Sequence, residues 1–298
     1  MTHRSSGWNR KLGNAMMKIG IGLPTSIPGR GGEGVVEWAR RAEAAGFSSL
    51  GVVDRVAYDA WEPLVSLAAA AAVTEKVRLV SMVMIGPIHN TSLLARQAAT
   101  VDVISGGRLT LGLGIGARHD DYLASGVDPS KRGEMLTDQL ARLRDHWEDT
   151  TVGPVPFQAG GPDLLVGGAS GGALLRMARL ADGYVHGGGP ARSFASAALR
   201  VRTAWEDVDR PGAPQLWAQA YFGLGNADVG DAYLRDYYAF TGAFAEKVVA
   251  ANLRNPLEVR DYIRSYEEAG CENLVLLPTA AELDEVDRLA EVVSQVRL

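Results

Sequence analysis

Three histidines lie at the ends of segments that the sequence predicts to be strands: His89, His119 and His186. With an ordinary pKa of about 6.5, an imidazole gives or takes a proton near neutrality. We predict His89 and His119 to be catalytic for that reason; the alternative for each is an exposed loop histidine without a role. No HxH or HExxH spacing occurs, and Cys271 is the one cysteine, so no metal site is predicted.

Asp54 and Arg55 directly follow the second predicted strand. A guanidinium stays protonated throughout the usual pH range, which makes Arg55 a poor proton donor. It is better suited to holding an anionic group of a substrate or to stabilising negative charge that develops during a reaction. We therefore predict that Arg55 contributes to catalysis electrostatically.

A glycine-rich turn, Gly167-Gly168-Ala169-Ser170, lies between a predicted strand and a predicted helix. The first N–H groups of a helix have no partners within the helix and carry partial positive charge, so they can hold a phosphate. The alternative is that Ser170 simply caps the helix after a glycine turn. The sequence leaves both interpretations open.

A second glycine-rich stretch covers residues 105–116. Leu109 to Leu113 reads as a short buried strand, and the glycines around its end let a backbone or a flat ligand approach closely. A dinucleotide-binding GxGxxG fingerprint is not present: after Gly112 and Gly114 the third position holds Ala117, and the next four residues do not resemble the start of a helix.

Strands and helices alternate along the chain, which favours parallel strands joined by right-handed crossovers. Eight such units in this length predict a (β/α)₈ TIM barrel with an irregular, partly inserted second half. A doubly wound open sheet is the alternative. In a barrel the active site forms at the carboxyl ends of the strands. The predicted strands are 18–23, 48–53, 76–84, 109–113, 163–166, 183–186, 215–224 and 273–277, and the predicted insertion is the helical region 228–253.

Composition limits the class of protein. The 298 residues carry a formal net charge of −5, which argues against a basic nucleic-acid-binding face. With one cysteine no disulfide framework can form within the chain, and a reducing cytoplasm is the expected compartment. No stretch is long and apolar enough to span a membrane. Residues 1–15 have no apolar signal core, so we expect a disordered leader before one domain at 16–298.

A run of motifs carries a family resemblance. The stretch 105–116, followed by Arg132-Gly133-Glu134 and preceded by Leu94-Ala95 and Thr100-Val101-Asp102, resembles the luciferase-like flavin and deazaflavin oxidoreductase superfamily. The resemblance covers residues 18–189 well and the remainder loosely. It implies a TIM barrel that binds reduced FMN or the deazaflavin coenzyme F420, with the ring over the strand ends and the phosphate near Gly167, Gly168, Ala169 and Ser170.

The resemblance also implies which residues surround the ring. The family has a non-proline cis peptide in its third strand, and counting back from His89-Asn90 places that bond here at Ser81-Met82. The expected ring contacts are Asp54, Ser81, Met82, Asn90, Ile115 and Gly116.

Two positions distinguish the cofactors within the family. Monooxygenases similar to bacterial luciferase place an arginine in the strand-four loop, where this chain has Ile115, whereas the deazaflavin enzymes carry an aspartate that Asp54 matches. The resemblance therefore favours F420 and hydride transfer with a small organic substrate. An FMNH₂-dependent monooxygenase and a non-catalytic flavin-binding barrel are the alternatives. Arg55 and Ala117 stand where deazaflavin sugar-phosphate dehydrogenases have catalytic His and Glu, which predicts a different substrate.

The expected partners follow from the same resemblance. They are a small-molecule substrate, a separate flavin or deazaflavin reductase that supplies reduced cofactor, and a second copy of the chain. Trp61 and the alanine-rich helix after it are the expected contact in a homodimer, although an alanine-rich face is also typical of close packing within one barrel.

Overall fold

The structure is a computed structural model that describes residues 16–29, 32–149 and 152–296; the leader predicted at 1–15 lies outside them. The strands are β1 Lys18–Gly22, β2 Ser49–Val52, β3 Arg78–Ser81, β4 Met84–Ile85, β5 Leu109–Gly114, β6 Asp163–Gly167, β7 Gly183–His186, β8 Gln215–Phe222 and β9 Asn273–Pro278. The helices are α1 Gly32–Ala44, α2 Pro63–Ala71, α3 Thr91–Ser105, α4 His119–Ala124, α5 Arg132–Asp149, α6 Gly171–Leu180, α7 Ala191–Glu206, α8 Ala227–Tyr237, α9 Phe244–Ala250, α10 Pro256–Glu268 and α11 Asp284–Val296.

The strands form a closed parallel barrel. Their order around the ring is β3-β2-β1-β9-β8-β7-β6-β5, and pairing between β3 and β5 closes it. β4 continues the third strand along β5, with Met84 opposite Leu113, so β3 and β4 together count as one of eight strands. The predicted (β/α)₈ barrel is confirmed. Among the described residues no helix is long and apolar enough to cross a membrane.

Side chains alternate between two apolar layers along each strand. On β8, Trp217 belongs to a cluster with Val80, Leu165, Val185 and Val275, while its neighbours pack with the helices. Because successive strand residues point to opposite faces, this second cluster fills the interior of the barrel. The interior is therefore a packed core, and in barrels of this kind the chemistry takes place at the carboxyl ends of the strands.

The third strand is interrupted where the sequence predicts one continuous strand over 76–84. Between β3 and β4 the Met82–Val83 peptide bond is cis, so the expected position at Ser81–Met82 is wrong by one residue. The count back from His89 crosses a 3₁₀ turn at Gly86–Ile88, where the spacing of an extended strand does not apply. Ser81 bridges the interruption, since its hydroxyl donates to the carbonyl of Gly112 at 2.8 Å and accepts from the Gly112 N–H at 2.9 Å.

The glycines of β5 fit this interruption. A Cβ on Gly112 would overlap the carbonyl oxygen of Ser81, and one on Gly114 would lie 2.9 Å from Cγ2 of Val83. Residues with side chains at these positions would displace the interrupted strand. The sequence allowed these glycines to admit either a neighbouring backbone or a flat ligand. Gly112 admits a neighbouring backbone, that of Ser81.

Arg108 joins the turn before β5 to the end of α2. Its guanidinium donates to the carbonyls of Ala71, Thr74 and Val77 and to the hydroxyl of Thr74, at distances between 2.8 and 3.1 Å. These acceptors include carbonyls at the end of a helix, which have no partners within the helix. The arginine of the Ser-Gly-Gly-Arg motif therefore has a structural role.

Two helical segments differ from the prediction. The helical region predicted at 228–253 consists of α8 and α9, separated by a 3₁₀ turn at Ala239–Thr241 and by Gly242, whose φ is +59°. Residues after β5, for which no helix was expected, form the short helix α4. Trp61, an expected dimer contact, is half-buried against the core.

Candidate active site at the carboxyl ends of the strands

Asp54 and His89 form a hydrogen-bonded pair at the ends of neighbouring strands. His89 Nε2 lies 2.9 Å from Asp54 Oδ2, and the main-chain N–H of Ile85 donates to the same oxygen at 2.9 Å. The Asp54 side chain is 2% exposed and that of His89 is 20% exposed. A carboxylate can only accept, so in the neutral ring the proton is on Nε2 and Nδ1 is the acceptor. His89 therefore has one ring nitrogen fixed by Asp54 and one left for proton exchange.

The backbone around His89 is held independently of its ring. Buried Gln139 on α5 donates from Nε2 to the His89 carbonyl at 3.0 Å. Asn90, an expected cofactor contact, accepts from the Leu93 N–H at 3.1 Å and so caps α3. A Cβ on Gly86 would overlap Oε1 of Gln139, which explains the small residue at that turn. The position of the imidazole is thus determined by α3 and α5 as well as by Asp54.

Arg55 is buried and paired. Its Nε donates to both oxygens of Asp121, at 3.0 and 3.3 Å, and its Nη2 donates to Asp120 at 3.1 Å and to the Ala57 carbonyl at 3.2 Å. Asp121 is fully buried and also accepts the N–H groups of Val56 and Ala57. The charge of Arg55 is therefore matched within the protein by Asp120 and Asp121, and its electrostatic role in catalysis stays a prediction.

Arg118 is a second arginine at this end of the barrel. Its guanidinium donates to the carbonyl of Tyr237, and its carbon atom lies 4.7 Å from the centre of the Tyr237 ring and 4.0 Å from that of Phe240. Burial, and then the nearby charge of Arg55, lower the pKa of Arg118. Arg118 thus attaches the loop after β5 to the segment that follows β8.

Tyrosines of that segment cover the barrel. Tyr233, Tyr237 and Tyr238, which we call the tyrosine cover, lie on or directly after α8. Tyr233 shares a 2.7 Å hydrogen bond with Ser26, and Tyr238 shares one of 2.9 Å with Tyr221 of β8. Burial raises the pKa of all four phenols, so each keeps its proton at neutral pH.

An apolar surface lies beside the Asp54–His89 pair. Val83 is half-buried, and its methyl groups would touch a Cβ placed on Gly114 or Gly167. Gly116, with φ +64°, lies against the side chain of Ile85, and the carbonyl of Ile115 accepts the phenol proton of Tyr122. These residues form an apolar floor at adjacent strand ends, which suits one face of a flat ring.

The glycine turn after β6 is open. Gly168 has φ +113°, and a Cβ on Gly171 or Gly172 would meet nothing within 4 Å. The Ser170 hydroxyl accepts from the Ala173 N–H at 3.2 Å, so Ser170 is the cap that the sequence allowed as one alternative. The N–H groups of Gly171 and Gly172 belong to the first turn of α6, where a helix has no acceptors of its own, which leaves the phosphate alternative open as well.

Two of the sequence-derived histidines lie outside this arrangement. His119 is exposed at the first residue of α4. His186 stacks edge-on against Phe194 at 5.6 Å and lies 3.3 Å from the Tyr184 hydroxyl, on the helix-facing side of β7. Burial lowers the pKa of His186.

Ser81 and Met82 are both buried. The Ser81 hydroxyl is used by Gly112, and it is Val83, which was not predicted, that forms part of the floor.

Sequence reasoning missed the partners of its own candidates. Asp121 pairs with Arg55, and Gln139 supports His89, although neither follows a strand or belongs to a motif. The tyrosine cover had one visible signal, the density of aromatic residues at 233–240. No local sequence pattern indicated that this segment packs against the barrel.

Comparison with known proteins agrees with this geometry. The family model described as luciferase-like monooxygenase matches residues 17–281. The chain belongs to this family. The family match confirms the luciferase-like resemblance inferred from the motifs at 94–134.

The luciferase-like chain is similar to one group of proteins in sequence and to another in fold. An uncharacterised protein of Mycobacterium tuberculosis is 31% identical over 208 residues, which is 58% of this chain and 71% of that protein. An F420-dependent secondary alcohol dehydrogenase, solved with an F420-acetone adduct, matches with a TM-score of 0.77 at 17% identity over 95% of this chain and 100% of its own.

A type II Baeyer-Villiger monooxygenase of Pseudomonas putida, solved with FMN, matches with a TM-score of 0.69 at 16% identity. The alignment covers 94% of this chain and 97% of that one. At such identities the structural matches show the fold alone, and the assignment to a family of oxidoreductases rests on the luciferase-like monooxygenase family model.

Proposed function

We propose that the protein is a deazaflavin-dependent oxidoreductase that transfers a hydride between coenzyme F420 and a small organic substrate. The observation that carries the proposal is the Asp54–His89 pair beside the apolar floor of Val83, Gly114 and Gly116. A proton-transferring group next to a surface for a flat ring is what hydride transfer at a carbon–oxygen bond requires from the protein.

The residues present fit such a cofactor at both ends. At the ring end the floor is apolar, and its glycines make room for the side chains of Val83 and Ile85. At the phosphate end a Cβ on Gly171 or Gly172 would meet nothing within 4 Å, and Arg200 brings a cation to the turn by donating to the Ala169 carbonyl at 2.8 Å. In this proposal Ser81 and Met82 support the ring through Val83, and Gly167 to Ser170 surround the phosphate.

Reduced F420, when bound, supplies a hydride. His89 holds or moves the accompanying proton at Nδ1, because Nε2 is fixed by Asp54. Asp54 keeps the imidazole in that tautomer and orientation. The tyrosine cover excludes water from the floor and remains protonated. Ile115 contributes no charge at the place where an FMN-binding arginine is expected, which supports F420 over FMN.

An FMN-dependent monooxygenase is the second candidate. The description of the matching family and the FMN-bound Pseudomonas neighbour support it. In that case the chain would be an oxygenase component, as the name of a flavin-dependent trigonelline monooxygenase of Acinetobacter baylyi states for that relative. A separate flavin reductase would then supply the reduced cofactor. A homodimer through the early helices is proposed with either cofactor, since Val65 and Leu93 are exposed there.

Fluorescence-quenching titration with F420 and with FMN, in oxidised and reduced forms, tests the proposal. We expect F420 to bind at least about tenfold more tightly than FMN, with NADPH as the non-binding control because no dinucleotide fingerprint is present. Gly168→Val, which places a side chain at the open turn, is expected to weaken F420 binding. Tighter binding of FMN supports the monooxygenase, and binding of neither cofactor contradicts both proposals.

A further inference from the structure

Gln219 is a polar side chain on the interior face of the barrel. It lies on β8 between Trp217, a member of the apolar cluster that fills the interior, and Tyr221, which packs against that cluster. Because side chains alternate along a strand, Gln219 points to the same side as these two. Tyr221, nearer the carboxyl end, is bonded to Tyr238 of the tyrosine cover. Gln219 therefore lies between the packed core and the cover, at the level of the candidate active site.

The amide of Gln219 has no partner in the described part of the protein. Its Oε1 is buried without a hydrogen bond, and its Nε2 donates to no described residue. Gln215, on the same face of the same strand, is fully paired: its Nε2 donates to Asp163 at 3.0 Å, and its Oε1 accepts from the Trp217 indole at 3.0 Å. Buried polar groups in native proteins are usually paired, so the amide of Gln219 is a candidate for contact with a ligand.

The glycine turn after β7 leaves open space beside this amide. A Cβ on Gly188 would lie 2.9 Å from the main-chain oxygen of Gln219, so the turn passes directly alongside β8. Val185 of β7 belongs to the interior cluster, and alternation directs the position of Gly187 to the same side. A Cβ on Gly187 would meet nothing within 4 Å. Since no hydrogen bond holds the half-buried Gln219 amide, it can rotate towards a ligand in this space.

Gln219 lies across the mouth of the barrel from His89. In the closed order β3-β2-β1-β9-β8-β7-β6-β5, β8 is four strands away from the third strand in either direction. The third strand contains Val83 of the apolar floor and leads into the turn before His89. A ligand that lies over the floor with one end at His89 therefore extends across the mouth towards Gln219.

The surroundings of Gln219 suit an uncharged group. The interior cluster and the residues packed against it are apolar or aromatic, and the Tyr221 phenol is already bonded to Tyr238. A charged group of a ligand would lose its hydration there without an opposite charge in compensation. A side-chain amide offers a donor beside an acceptor, and the group that pairs with both is another amide whose N–H and C=O lie side by side.

We propose that Gln219 is a specificity-determining residue that binds an uncharged amide group of the substrate, at the end remote from His89. One hydrogen bond runs from Gln219 Nε2 to the amide oxygen of the ligand, and the other from the ligand N–H to Gln219 Oε1. The amide is a recognition group and is not changed by the reaction. The proposal rests on the proposed function for the word substrate, while binding of an amide can be measured without cofactor.

Ligand-observed NMR titration of the cofactor-free full chain tests the proposal with three probes of similar shape. Benzamide has adjacent N–H and C=O groups, acetophenone has the acceptor alone, and ethylbenzene has neither. We expect benzamide to bind at least about fivefold more tightly than acetophenone, and acetophenone more tightly than ethylbenzene, the size expected for one additional hydrogen bond. Equal affinity for benzamide and acetophenone, or no saturable binding of benzamide, overturns the proposal.

Gln219→Met keeps the length of the side chain and removes both polar atoms. We expect this variant to bind benzamide at least about tenfold more weakly than wild type, because two hydrogen bonds are lost. Gln215→Met is the matched control on the same strand, and its benzamide affinity should stay within about twofold of wild type, because the Gln215 amide is already paired. Unchanged benzamide affinity in Gln219→Met contradicts the proposal.

Thermal unfolding of the same two variants separates a ligand-binding role from a structural one. The Tm of Gln219→Met should equal or exceed that of wild type, because an unpaired buried atom is removed. The Tm of Gln215→Met should fall, because Asp163 and the Trp217 indole lose their partner. A Tm for Gln219→Met as low as that for Gln215→Met would show that Gln219 supports the fold, and would overturn the proposal.

The wild-type protein provides a direct measurement of the contact. The side-chain amide ¹H–¹⁵N resonances of Gln219, identified by their absence from the spectrum of Gln219→Met, should shift on addition of benzamide and not of ethylbenzene. Unmoved resonances contradict the proposal.

Titration of Gln219→Met with F420 distinguishes the substrate from the cofactor as the source of the amide, since the cofactor ring has an amide-type edge of its own. The F420 affinity should stay within about twofold of wild type; a loss of about tenfold would assign the contact to the cofactor and overturn the assignment to the substrate. Binding of neither F420 nor FMN to wild type would remove the proposed function and leave the benzamide result intact. Failure with benzamide, with F420 bound normally, would remove only the amide site.

Discussion

Asp54 uses a single carboxylate oxygen to hold both the ring of His89 and the N–H of Ile85. This oxygen connects the end of β2 to the turn after β4, so the imidazole is placed by the same contact that joins two strand ends. The resemblance alone implied that Asp54 touches the cofactor. The structure gives its carboxylate an internal partner, which makes Asp54 a positioning residue for His89.

Removing the imidazole should slow the chemical step. His89→Ala is expected to lose about 10²–10⁴-fold in single-turnover rate, the usual contribution of a positioned proton donor, with little change in cofactor affinity. Asp54→Asn should lower the rate less, because the imidazole remains but its orientation is no longer fixed. His146→Ala, on α5 and bonded to Ser92, is the matched control and should turn over normally.

His119→Ala tests the second histidine that the sequence suggested. Its exposure on α4 leads us to expect a smaller effect than for His89→Ala. If His89→Ala and His119→Ala both react at the wild-type rate, neither histidine supplies the proton and the catalytic assignment fails.

Because Ser170 caps α6, its replacement is expected to change folding stability more than cofactor affinity. Ser170→Ala removes one cap hydrogen bond and should lower the free energy of unfolding by about 1 kcal/mol. Cofactor affinity should change little, because the free N–H groups of the turn are unaffected. Urea denaturation and cofactor titration of the same variant measure the two effects. A large loss of affinity without loss of stability would show that the hydroxyl itself binds the cofactor.

Gly112 should not tolerate a methyl group. In Gly112→Ala the new Cβ would overlap the Ser81 carbonyl, and we expect a loss of at least about 2 kcal/mol in unfolding free energy. Gly34→Ala is the matched control: it lies in α1 with nothing within 4 Å of the added Cβ, so it should be neutral or stabilise by up to about 1 kcal/mol. Equal stabilities for the two variants would contradict the steric account.

His186 should make stability depend on pH. Burial lowers its pKa in the folded protein, whereas the unfolded chain keeps the ordinary value of about 6.5. Below that pH the unfolded state binds more protons, so the contribution of neutral His186 is complete above about pH 6.5 and falls as pH drops towards the folded pKa. Lowering the pH from 7.5 to 5.5 should therefore reduce the free energy of unfolding of wild type more than that of His186→Gln. A difference independent of pH would refute this.

The barrel was predictable because its signals are local. Alternating strands and helices, with apolar strand positions, are sufficient to specify parallel strands and the end at which chemistry occurs. The interruption of the third strand was not predictable, because residues 82–85 are apolar throughout and resemble a continuing strand. Helix α4 was missed because His-Asp-Asp lacks the apolar spacing of a longer helix.

The candidate site was predictable in its positions but not in its pairings. Asp54, Arg55 and His89 were selected because they follow strands, and all three lie at the same end of the barrel. That Asp54 binds His89, and that Arg55 binds Asp121, depends on side chains meeting across the barrel mouth. No spacing in one sequence encodes such contacts, so the carboxylate partners of Arg55 could not be predicted.

The side chain of Val83 fills the space that the absence of side chains on the facing glycines, Gly114 and Gly167, leaves between the strands. Its methyl groups lie 2.9 Å from a Cβ built on Gly114 and 3.3 Å from one built on Gly167. In a close-packed interior that volume can be redistributed but not increased. Related chains can therefore change these three positions only in compensating combinations, a larger residue at one being accompanied by a smaller one at another. Engineering of the floor to accept a bulkier ring would begin with Val83 and not with the glycines.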